Sequence, residues 1–181
     1  MMIAKKTFFL FFLVVSFSFG QNTQWKIDTN SSFIRYKGDH LLHSWEGLND
    51  NVFGIAIPST EGGGIEKLAI LVYVRDFDSK NSGRDAHALE VLEALKYPEV
   101  KFYSESVQIE GNKLRLNGNF NFHGIKIEKS IVSDLEQGEN HWKISGSFPL
   151  TPTDFNIELP SFLSVKMKDL LEIEYSIFLK K

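Results

Sequence analysis

Few residues in this chain have the chemistry to act as acids, bases or metal ligands, and they are scattered. There are five histidines. His40 and His43 stand three apart in "DHLLH", a spacing that suits a metal pair on a helix. Here they follow a strand pattern and precede "SWEGL", which reads as a turn or a second strand. No further ligands point to them, so no metal site is expected. His87, His123 and His141 are isolated and read as structural. "RDAH" (84–87) sets Asp85 near His87, an acid and base that a hydrolase or isomerase would need. On a helix, however, positions two apart do not face each other. The carboxylate pairs Glu90/Glu93 and Glu172/Glu174 fall on a helix exterior and on the polar face of a strand, where solvated charge is the default. There is no Gly-x-Ser-x-Gly elbow and no glycine-rich phosphate loop. The chain has no cysteine, which removes disulfides, thiolate sites and a cysteine nucleophile. The expectation is a protein that is not an enzyme and needs no cofactor.

The elements that would position these residues are almost all strands. Period-2 alternation marks "SFIRYKG" (32–38), "KLAILVYVRDF" (67–77), "VKFYSESVQIE" (100–110), "KLRLNGNFNFHG" (113–124), "GIKIEKSIV" (124–132), "HWKISGSFPL" (141–150) and "LLEIEYSIFLKK" (170–181). In the clearest of them Leu114, Leu116, Phe120 and Phe122 share one face, and Arg115, Asn117, Asn119 and Asn121 the other. Glycine- and asparagine-rich turns separate the runs, with Gly111-Asn112 and Gly138 suited to tight hairpins. Seven or eight strands joined by short loops, each with one apolar face, predict an antiparallel barrel or sandwich in one domain.

One helix interrupts this pattern. Apolar residues at Ala86, Leu89, Leu92 and Leu95 predict about three turns over roughly 85–96, with Asp85 as N-cap and Pro98 as the stop. Its apolar side suits the open end of a barrel. Residues 151–169, with Pro152 and Pro160, read as a long loop with one helical turn, of the kind that lines a barrel mouth.

Composition narrows the function class. "MMIAKK", then the apolar run 7–19, then Ser18 and Gly20 make the three-part pattern of a cleaved signal peptide over 1–20; an uncleaved anchor is the alternative, but the run is short for a span. Residues 21–181 then form the single domain, and the product is expected in the periplasm or secreted, with no stable membrane span. Without Lys5 and Lys6 the net charge falls from −3 to −5, with no basic block, which argues against nucleic acid. An exported barrel rich in inward apolar residues, with no catalytic set, suggests a carrier for a small hydrophobic ligand.

Four ordered segments resemble the YceI-like family: "WKIDTNSSFIRYKGDHLLHSWEG" (25–47), "FDSKNSGRDAHALEVLEALKYPEVKFYS" (77–104), "LNGNFNFHGIKIEKSI" (116–131) and "FPLTPTDFNIELP" (148–160). The resemblance implies an all-β, lipocalin-like, eight-stranded antiparallel barrel that holds a polyisoprenoid chain in an apolar tunnel, without enzymatic activity. It departs from the family pattern where "LEVLEAL" replaces an aromatic pair in the helix, and at His123 and Ile125-Lys126 in a hairpin, so the ligand stays at the level of a polyisoprenoid or quinone. The residues expected to line the cavity are Ile34, Tyr36, Val72, Val74, Phe102, Phe120, Phe122, Trp142, Ile144 and Phe148. Arg84, His87 and Lys126 are the head-group candidates. The alternative is a filled barrel that serves as a non-catalytic interaction or stress-related protein, which requires a barrel without a tunnel.

Overall fold

The computed structural model describes residues 24–40, 43–60, 63–162 and 165–181; the expected signal peptide lies outside them. The strands are β1 (Trp25–Ile27), β2 (Phe33–Asp39), β3 (Ser44–Asn49), β4 (Phe53–Pro58), β5 (Ile65–Tyr73), β6 (Glu99–Glu110), β7 (Lys113–Phe122), β8 (Ile125–Gln137), β9 (His141–Leu150), β10 (Ser161–Phe162), β11 (Val165–Lys166) and β12 (Leu171–Lys180), with one α-helix, α1 (Ser82–Val91).

The main sheet runs antiparallel in the order β1-β4-β5-β6-β7-β8-β9-β12-β2-β3, and β1 also pairs with β12. That extra pairing closes an eight-stranded antiparallel barrel, because β1 and β2 act as one interrupted strand along β12. Leu179 and Lys180 face Ile27 and Lys26, and Leu171 to Ser176 face Gly38 to Phe33. Between them a 3₁₀ turn at Thr29–Ser31 breaks the ladder. The Ser32 hydroxyl bridges the break by accepting from the Phe178 amide at 2.9 Å. β3 and β4 form a second interrupted strand. At their junction the fully buried Asn49 donates to the Tyr73 carbonyl and accepts from the Asn51 amide.

β4 escaped sequence analysis because "FGIAIP" is short and contains glycine and proline, which weaken a strand pattern. The long strands did not, because each buries alternate residues. Leu114, Leu116, Phe120 and Phe122 all point inward and are buried. The tight hairpin after β7 is formed by His123 and Gly124, with φ of +50° and +76°, the mirror-image turn that matches strand twist. Any side chain at 124 would strike the Tyr97 ring.

The helix differs from expectation at both ends. It starts at Ser82, and its cap is Asn81, whose side chain accepts from the Arg84 amide at 3.0 Å. Asp85 lies in the first turn; its carboxylate accepts instead from the Ser79 amide at 3.1 Å and the Ser79 hydroxyl at 2.5 Å. Regular helix stops at Val91, and Glu93 turns the chain with φ +44°. Leu95 is therefore not part of the packed stripe and is fully exposed. The whole excursion is pinched at its neck by Val74 N–H donating to Pro98 C=O at 2.9 Å, and pinned to β3 by two backbone hydrogen bonds between Leu48 and Asp78.

Leu114 is fully buried in the lower barrel. Leu114→Ala should cost about 2–5 kcal/mol, the usual range for a buried leucine, whereas Leu95→Ala should stay within about 0.5 kcal/mol. Urea denaturation of both variants checks this, and a neutral Leu114→Ala would contradict the packed lower core.

Candidate functional site

Alternation decides which side chains enter the barrel, and the barrel's two halves use them differently. The lower half is solid. Leu68, Leu114, Ile144 and Leu179 are essentially inaccessible there, and Trp25 and Trp142 meet edge to face with ring centroids 4.9 Å apart. The upper half is hollow and encloses a cavity of about 600 Å³, within the size range of small-molecule sites. The boundary falls at one level on strand after strand. Ile70 lines the cavity but Leu68 does not; the same holds for Leu116 over Leu114, Phe148 over Ile144, and Ile177 over Leu179.

Of the residues expected from sequence, Ile34, Tyr36, Val72, Val74, Phe102, Phe120, Phe122 and Phe148 line this cavity, as do Arg84 and His87. Trp142 and Ile144 do not. Both point inward and are buried, but they belong to the packed half; strand parity assigns a face, not a depth. Lys126 is not at the cavity either, and its side chain is exposed on β8. Ile173, Tyr175 and Ile177 also line the cavity, and their alternation on β12 is plain in the sequence. Ile157 and Met167 reach it from the long loop, where there is no period to read. A barrel filled to its mouth is not what the structure has.

Helix α1 and the residue that ends it cover the mouth, with Ala88, Leu89, Val91 and Leu92 lining the cavity. Arg84 and Asp85 both hold Ser79: the Arg84 guanidinium donates to its carbonyl at 3.4 Å, and Asp85 takes its amide and hydroxyl. Asp85 is thus committed to the helix entry. His87 sits 3.7 Å from Glu90, and the two residues of "RDAH" make no dyad. The rim is completed by the long loop, which comprises a 3₁₀ turn at Pro152–Phe155 and the small β10–β11 hairpin. His40 Nε2–H donates to the Val165 carbonyl at 3.0 Å. His123 Nδ1–H donates to the Phe155 carbonyl at 2.9 Å, while its Nε2 lies 3.1 Å from the Glu93 carboxylate. One hairpin ring therefore touches both the turn that follows the helix and the long loop. Among the described residues, no group of three or more His, Asp or Glu could hold a metal ion.

Two tyrosines, Tyr36 and Tyr175, line this largely apolar space. Burial raises the Tyr36 phenol above its ordinary value, the Asp85 charge adds to this, and Arg84 partly opposes it. Burial also raises Tyr175, offset in part by its 2.6 Å hydrogen bond with the buried Ser133.

Comparison with known proteins agrees with this architecture. The family model for the YceI-like domain matches residues 25–179. Protein YceI of Salmonella newport (strain SL254) is 26% identical over 125 residues, covering 66% of this chain and 65% of that protein, so the match leaves more than a third of the curated relative's length uncovered. Among solved structures, BcnA of Burkholderia cenocepacia superimposes with a TM-score of 0.74 at 16% identity, covering 84% of this chain and 98% of its own. A polyisoprenoid binding domain from Saccharophagus degradans, implicated in plant cell wall breakdown, gives 0.71 at 11% identity, covering 86% and 97%. At such identities the likeness concerns the fold.

The two raised tyrosines set an alkaline limit. A group whose folded pKa is raised stabilises the fold only below its unfolded value, here about 10, and that contribution is lost as pH rises through the folded value. Stability should therefore fall above about pH 10. Ultraviolet titration of Tyr36→Phe/Tyr175→Phe should lack the latest part of the phenolate rise; an unchanged late rise would place these hydroxyls in water.

Proposed function

The chain belongs to the YceI-like domain family, and we propose that it is an exported, non-catalytic lipid-binding protein that holds a polyisoprenoid or quinone-like chain in the upper barrel. The observation that carries this reading is the cavity itself: about 600 Å³ with almost wholly apolar walls, roofed by a helix whose inner face is also apolar. An apolar chain against such walls makes dispersion contacts along its length and gains about 0.8 kcal/mol for each CH₂ removed from water. The likeness to a polyisoprenoid binding domain supports the isoprenoid class.

Orientation follows from where polarity lies. The floor and walls offer a tail only hydrocarbon, apart from the Tyr175 hydroxyl, which Ser133 already engages. Exposed Arg75, His43 and His87 stand at the rim, and Tyr36 lies just inside. The Tyr36 ring lines the cavity and packs against Gly47. The tail enters first and the head stays at the mouth beside Tyr36, Arg84 and His87. Export rests on the N-terminal apolar segment and its small-residue cleavage pattern.

Protein purified from its native compartment should release a prenyl lipid into organic solvent, identifiable by mass spectrometry. After delipidation, geranylgeraniol should raise Tm, with a stabilisation approaching about 2.7 kcal/mol at a hundredfold excess over Kd. Ile34→Trp, which fills the cavity, should abolish that rise, and Lys126→Ala should leave it intact. No extractable lipid together with no response to any prenol would refute the binding reading.

A further inference from the structure

The level floor between the two barrel halves has a consequence for ligand length. We infer, on the premise that the cavity binds a prenyl chain, that this floor is a chain-length ruler and that the chain it accepts is about four isoprene units long.

The floor is made by Leu116, Ile131, Tyr175 and Ile177, all buried and all lining the cavity. Two features keep it from moving down. Tyr175 is held by its hydroxyl to Ser133 at 2.6 Å, and it packs over Gly146, where even a Cβ would lie 2.8 Å from the phenol oxygen. Beneath the floor there is no space to enter, because Leu114 and Leu179 are fully buried and the Trp25–Trp142 pair fills the end. Packed interiors yield reluctantly, since their side chains already sit at crystal-like density. The cavity is therefore open at the helix end and blind at the other.

Its volume then sets the length. A carbon-sized group occupies about as much room as a water molecule, ~30 Å³. The 600 Å³ available thus holds about twenty such groups, which is about four isoprene units. Shorter chains leave part of the walls uncovered. Longer ones must leave their excess at the mouth, in water or against the helix, where added units contribute little.

The experiment is a chain-length series on delipidated, full-length protein: geraniol, farnesol, geranylgeraniol, hexaprenol and octaprenol, with Kd measured by displacement of a fluorescent prenyl probe. Affinity should rise by at least about tenfold per isoprene unit up to geranylgeraniol and change by less than about twofold beyond it. Ile173→Phe, which narrows the cavity above the floor without opening a void, should move the break point back to farnesol. Ile177→Ala, which opens the floor, should move it forward to a longer prenol. Affinity that keeps climbing to octaprenol, or a break point unmoved by Ile173→Phe, would overturn the ruler while leaving prenyl binding in place. No binding by any member would overturn both.

Discussion

Closure governs this structure: eight strands closed into a barrel leave an interior just wide enough for their own side chains or for one slender guest. Closure is achieved through β12, which pairs with β1 by its last residues, with β2 by its earlier ones, and with β9 throughout. Each strand must then commit every second residue to the inside. What differs between the ends is the size of those residues and how the backbone lets them meet. At the lower end tryptophans and leucines interlock. Toward the mouth the inner residues stand around the cavity instead.

The helical excursion lies beside β3. β3 has no strand partner on its outer side; only the Leu48–Asp78 bridge joins it to the chain leaving β5. The segment between Val74 and Pro98 fills the seam with α1, and three small devices hold it: the neck hydrogen bond, the Asn81 cap, and the grip of Arg84 and Asp85 on Ser79. Asp85, the acid of the pair that looked most like chemistry, is thus occupied in fixing the roof. The His123 ring, joined to the Phe155 carbonyl and set against Glu93, does the same for the far side of the mouth, and its contact with Glu93 is an ion pair only when the imidazole is protonated.

How much of this could be read from sequence depends on the period. β7, β9 and β12 were legible because their apolar residues alternate without a break, and the barrel follows from counting such strands between turns. The wall residues on them were legible for the same reason. Depth was not, because alternation says nothing of position along the barrel axis, which is why Trp142 and Ile144 were expected at the cavity and lie beneath it. The helix was visible, but its start was not: Asn81 and Asp85 are both good capping residues, and only the Ser79 contacts reveal that Asp85 is engaged elsewhere. Ile157 and Met167 reach the cavity from irregular chain, where no spacing rule applies.

The barrel is hollow above Leu116 and Ile177 and solid below, and the hollow part is where we place the proposed prenyl chain. The most direct measurement is a high-resolution crystal structure of the protein purified from its native compartment without detergent. It should show one elongated, branched density that enters beneath α1, ends on Ile177 and Tyr175, and does not pass Trp142. A cavity closed by Phe120, Phe148 and the helix residues moving inward, or filled with ordered water alone, would contradict it.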